Sequence, residues 1–172
     1  MKRIIKTIVV SCLSLLAAAW SAVAQASEDD KLSAFFKNYL EQYFQEQPLE
    51  ATMLGDHRFD SKLDDISPAA RAGWLARLQD TKKQLPQAVD YSKLSRDAQI
   101  DFEIFRGNLG MQIWETKNQR PFEQDPRTYG HYISDSVYVL LTQSTQPKET
   151  NIANCIARMA EIPRSKRTSM NS

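Results

Sequence analysis

Few side chains in this sequence are equipped for chemistry: two histidines, a cysteine near the end and an acidic turn. His57 lies in "GDHRFD" and His131 in "YGHYIS". A zinc peptidase helix would carry His-Glu-x-x-His, with two imidazoles on one face and a general base beside the metal-bound water. No such motif is present. A metal site from His57 and His131 would need the two to meet in space beside an Asp or Glu. Histidines at separate loop edges are more often structural or superficial. Cys155 sits on an apolar helical face, where a thiol is ordinarily core. There is no Gly-x-Ser-x-Gly elbow and no P-loop. "GNLG" at 107–110 has the spacing of a phosphate-clamping loop but falls inside a helical pattern. "DSKLDD" brings Asp60, Asp64 and Asp65 together without the central Gly and terminal Glu of a calcium loop, so a solvated acidic turn is expected. On these grounds no catalytic, cofactor-binding or metal-ligating residue is assigned.

The elements that would hold any site are helical. Five segments repeat apolar residues at three- and four-residue steps, and none alternates convincingly with period two. The first follows "SEDD", with Ser27 as cap, Asp30 at the third position and an aromatic stripe of Leu32, Phe35, Phe36, Tyr39, Leu40, Tyr43 and Phe44. That stripe reads first as core, with an exposed peptide-binding face as the alternative. Pro48 then breaks the helix, a short turn runs through Leu54, and Gly55 ends it. Ser67 and Pro68 open the next helix, whose buried face is Trp74, Leu75, Leu78 and Leu85. A third helix follows Ser95, with Ile100, Ile104, Phe105, Leu109 and Ile113 as its stripe. Gly107 and Gly110 inside it call for a close helix approach or a break. Residues 117–127, with Pro121 and Pro126, read as a loop. In "YISDSVYVLLTQ" the segment "VYVLL" could equally be a buried strand; the run is read as helix because no strand partner lies nearby. The last helix opens at Pro147 with a stripe of Ile152, Cys155, Ile156, Met159 and Ile162. The predicted fold class is all-α, an amphipathic array of about five helices.

The front of the chain is an address. "MKRIIK" is cationic, "TIVVSCLSLLAAAW" apolar, and Ala22 and Ala24 fit a signal peptidase, so residues 1–24 are expected to be a cleaved signal peptide. The apolar stretch is too short to anchor comfortably, and Cys12 makes a poor lipidation site because the apolar run continues past it. Export to the periplasm or outside follows, with no stable membrane anchor. Removing 24 of 172 residues takes Lys2, Arg3 and Lys6, so formal charge moves from +1 to −2. That balance argues against a nucleic-acid partner. With Cys12 gone, Cys155 has no partner for an intrachain disulfide.

"QPLEATMLGDHRFDSKLDDIS" resembles the opening signature of the bacterial family catalogued as domain of unknown function 885. The matching positions are Pro48, Ala51, Thr52, Gly55, His57 and Asp60. The likeness continues through Leu94, Ser95, Gln99 and Asp101, then "DPRTYGHYI", and ends at "IARMAEIP" with Arg158, Met159, Ile162 and Pro163. The resemblance implies an exported, helical, zinc-metallopeptidase-like hydrolase whose His-Glu…His motif lies in a distant C-terminal half. Zinc is thus implied for full-length relatives, and no metal ligand or base carries over to this sequence. The expected organisation is a helical domain at 25–163, incomplete, and a disordered tail at 164–172, with Arg164, Lys166 and Arg167, that departs from the family pattern. The chain is accordingly expected to be a truncated, catalytically inactive N-terminal fragment. Its helix faces would be left open to self-association or to peptide and protein contact. The alternative is a free-standing periplasmic interaction module; a small metal binder using His57 and His131 is a third reading.

Overall fold

The computed structural model describes residues 26–170, with side chains through Ile162. The expected signal peptide and the cationic side chains of the tail lie outside the described residues. Helix α1 spans Glu28–Glu46 and begins with the expected capping box. Ser27 Oγ accepts from the Asp30 N–H and Asp30 Oδ2 from the Ser27 N–H, each at 3.1 Å. Its first-turn acids reach further than the helix dipole. Glu28 Oε2 accepts from the Asp90 N–H at 2.7 Å and Asp29 Oδ1 from the Ser95 N–H at 3.0 Å, clasping the connection between two later helices. The bond from Ser95 holds the Asp29 carboxyl below its usual range.

Pro48 opens α2, Pro48–Met53, at the position where its missing N–H costs nothing. Gly55 closes it at φ 86°, a left-handed conformation costing a residue with Cβ roughly 1–2 kcal/mol. A 3₁₀ turn follows at His57–Phe59. Helix α3, Pro68–Ala88, is capped by Ser67 as expected and continues through Pro86. A second 3₁₀ turn at Tyr91–Lys93 leads into α4, Arg96–Asn118, capped by Ser95. Helix α4 does not break at its glycines. A Cβ on Gly110 would lie 3.0 Å from Lys82 Nζ of α3, whereas Gly107 faces open space.

The segment read as loop contains one helical turn, α5, Pro121–Gln124, started by its proline. Helix α6, Arg127–Thr142, is the run that pattern alone left closest to a strand. Helix α7 spans Lys148–Met170. It passes Pro163, so residues 164–170 continue the helix instead of forming the expected disordered tail. Lys and Arg are good helix formers and suit a helix C-terminus. The fold is an all-α array, and the described residues include no strand.

Packing divides between two cores. Helices α1, α3 and α4 enclose Leu32, Leu85, Val89, Leu94 and Phe102. Phe105 of α4 receives Phe36 and Tyr39 with ring centroids 4.9 Å away, and Tyr43 meets Trp74 at 5.5 Å. The aromatic stripe therefore packs inward for the most part: Leu32 is buried and its aromatic residues are half-buried, while Leu40 is 43% exposed. Helices α2, α6 and α7 enclose Leu49, Val139, Leu140 and Cys155.

Two helices are rotated part-way from the expected face, keeping Phe105, Leu109 and Ile113 of α4 and Cys155 and Ile162 of α7 inward. In α4, Phe102 and Leu109 are buried and Phe105 half-buried, while Ile100 and Ile104 are exposed. The aromatic row of α1 selects this face by docking on Phe105. In α7, the buried positions are Asn151, Cys155 and Arg158, while Ile152, Ile156 and Met159 face outward at 42%, 63% and 56% exposure. The helix is rotated because its guanidinium, described below, has buried partners. No described helix is long and apolar enough to cross a membrane.

Candidate functional site

The turn forced by Gly55 folds residues 56–60 back over α2. The Gly55 and Asp56 N–H groups return to the Thr52 and Ala51 carbonyls at 3.1 and 2.8 Å. Thr52, His57 and Asp60 thereby meet Arg158 of α7. The Arg158 guanidinium has no exposed surface; Nη1 donates to the Ser136 carbonyl and Nη2 to Thr52 Oγ1, each at 2.6 Å. The Thr52 hydroxyl donates to Asp60 Oδ1 at 2.6 Å, and Asp60 Oδ2 lies 2.9 Å from His57 Nδ1. His57 Nε2 faces Thr145 Oγ1 at 3.3 Å. A hydrogen-bonded chain thus runs from a buried cation on α7 to an exposed hydroxyl in the α6–α7 loop.

Burial dominates the electrostatics. It lowers the Arg158 guanidinium from its ordinary value, against the pull of the nearby Asp60 and Asp64 carboxylates. Arg158 Nε is buried without a hydrogen-bond partner. Asp64 accepts from the Leu49 N–H at 2.9 Å, and its own N–H donates to the Tyr132 hydroxyl at 2.7 Å. Burial pushes the Asp64 carboxyl up to about 6 and raises the Tyr132 phenol. The expected solvated acidic turn is therefore corrected. Asp60 and Asp64 are 1% and 8% exposed, leaving Asp65 as the exposed acid. Two of the three are folded inward because backbone and hydroxyl donors satisfy them.

Asp64 and Tyr132 also line a cavity of about 590 Å³. Trp74 and Leu75 of α3, Phe122 of α5, Glu50 of α2 and Glu115 of α4 complete its main walls. Arg71 lies over the Phe122 ring at 5.0 Å, donating to the Ile66 carbonyl at 2.6 Å and to Glu123 Oε1 at 2.5 Å. The cavity's lining is mixed, with carboxylates and arginines interleaved among apolar and aromatic side chains, and its volume lies in the range of small-ligand sites.

The residues weighed for chemistry fare differently. His57 spends Nδ1 on Asp60, and His131 faces outward on α6. Among the described residues no three His, Cys, Asp or Glu side chains converge as a metal set. The donors among the described residues do not fit a zinc ion. Cys155 is buried and its thiol raised by burial. "GNLG" is continuous helix. The order Thr145–His57–Asp60 matches hydroxyl, base and orienting acid, but neither Thr145 nor His57 lines the cavity. The arrangement links the loop to the turn.

Neither Arg158, which carries only a family likeness in the sequence, nor Tyr132 stands out there as a site residue. One signal was available: Asn151, Cys155 and Arg158 recur at helical spacing, a polar stripe competing with the apolar one.

No curated protein and no solved structure matches this chain significantly. A family described as "bacterial protein of unknown function (DUF885)" matches residues 48–171, taking in most of the tail expected to depart from the family pattern. That stretch begins at α2 and takes in the Gly55 turn, the cavity walls and Arg158. Since it spans most of the sequence, the chain belongs to the DUF885 family of bacterial proteins of unknown function.

Proposed function

We propose that this chain is a binding, non-catalytic helical portion of an exported metallopeptidase-like hydrolase. It would supply a wall of the substrate space while metal chemistry is done elsewhere. One observation carries the reading: apolar residues at core-like spacing face outward on two long helices. Ile152, Ile156 and Met159 do so on α7, and Ile104, Met111 and Trp114 on α4. Such faces ordinarily seek further helices. In their absence they favour association between copies of the chain.

The test uses the chain without its first 24 residues. The expected result is no peptide hydrolysis with or without added zinc, together with apolar-dye binding and concentration-dependent sedimentation. Zinc-dependent turnover would remove the non-catalytic assignment. A monomer that binds no dye would remove the open-face argument. The same faces support a second reading, a free-standing periplasmic module that captures partner chains. Under it, unfolded polypeptides compete with the dye.

A further inference from the structure

We infer that the cavity between α2, α3, α4 and α5 binds an organic cation, an ammonium or guanidinium carried on an apolar body. The inference goes beyond the hydrolase reading and does not depend on it, because this chain supplies the whole cavity. Charge is the first reason. Glu123 is matched by Arg71, whereas no ion pair engages Glu50 or Glu115 among the described residues. Asp65 adds another carboxylate to the lining, against the single further cation Arg120. An anionic ligand would meet this excess unfavourably.

Arg71 supplies the second reason, since it displays the same recognition within the wall. Its guanidinium rests on the Phe122 ring while a carbonyl and a carboxylate accept its protons. Trp74 and Tyr132 offer further aromatic surface, and the free carboxylates Glu50 and Glu115 stand in the same cavity. An incoming cation thus finds the acceptor types that already hold one. Leu75, Ile66 and Pro68 line the space for an aliphatic stem. The volume, about 590 Å³, exceeds what a bare ion needs and suits a side chain with its flanking backbone.

The test is calorimetric, on the full chain. The probes are the blocked tripeptide Ala-Arg-Ala, the same peptide with neutral, near-isosteric citrulline, and the free amine agmatine. The arginine peptide is expected to bind about tenfold more tightly than the citrulline peptide, with the preference shrinking as salt rises. In the double variant Glu50→Gln/Glu115→Gln the preference collapses while the thermal midpoint stays. Each single variant loses about half of it on a logarithmic scale. Agmatine matching the peptide identifies a free amine as the source. Peptide binding alone identifies a basic side chain within a polypeptide. Equal binding of the citrulline peptide, an undiminished preference in the double variant, or no binding of either cation overturns the inference.

Discussion

Leu85 and Arg158 are equally withdrawn from water, each with no exposed surface, yet their surroundings share almost nothing. Around Leu85 stand Leu32, Val89, Leu94 and Phe102 from three elements, with Phe105 and its aromatic neighbours alongside. Around Arg158 stand a carbonyl, a hydroxyl and two carboxyl groups. Apolar burial is non-directional and roughly proportional to area, so the first core tolerates rearrangement of similar volume. A buried guanidinium demands acceptors at fixed places and is costly to desolvate. The α2–α6–α7 region therefore gains a defined geometry from a group that contributes little net stability. Removing that group is nonetheless expensive, because its partners are left behind.

The largest expected effect tests that asymmetry. Arg158→Ala should destabilise the protein by about 3–5 kcal/mol, since Asp60 and Asp64 lose their buried cation. Hydrogen exchange should show α2 and α7 losing protection while α1 and α3 keep theirs. Equal loss in both regions would mean they unfold as one unit and the division is only geometric. Leu85→Ala should cost about 3 kcal/mol with the reverse pattern of protection.

Asp64→Asn sharpens the comparison through pH. Burial raises the folded-state carboxyl to about 6, above its unfolded value, so the folded protein holds the proton more tightly. Stability contributed by this group is present below the unfolded value and is lost as pH rises towards 6. The asparagine variant should therefore gain about 3 kcal/mol over the native chain at pH 7.5 and almost nothing at pH 3.5. Denaturation midpoints at the two pH values read this directly. A gain independent of pH would assign the effect to packing. The smallest effect belongs to the apolar region: Ser95→Ala should cost about 1 kcal/mol through loss of the α4 cap. Its N–H should still reach Asp29, so protection at the first turn of α1 should persist. Fraying of α1 would show instead that cap and clasp act together.

Much of this is legible before any coordinates. Ser27, Ser67 and Ser95 mark helix starts because a side-chain oxygen satisfies N–H groups that the helix cannot. Pro48 and Gly55 mark a break and a left-handed turn for equally local reasons. The residues Pro48, Ala51, Thr52, Gly55, His57 and Asp60 carry a family likeness, and in space they become one folded-back turn. What the turn grips is not local, since Thr52 meets a guanidinium 106 positions away. Nor is the cavity local, since its walls come from α2 through α6. Asp64 reads as a solvent-facing acid because its partners, the Leu49 N–H that donates to it and the Tyr132 hydroxyl that accepts from its backbone, meet it only once α2 and α6 are adjacent.

By itself the sequence determined the capped helices α1, α3 and α4 and the break at Pro48 and Gly55, because capping, proline geometry and glycine conformation act within a few residues; α5, the first turn of α6 and the end of α7 lay beyond it. It also determined the aromatic row of α1, the one helix whose apolar face had no rival. The tertiary structure alone decided which way α4 and α7 turn, since each carries apolar residues on more than one side. A docked aromatic row chose the face of α4. The partners of a buried charge chose the face of α7.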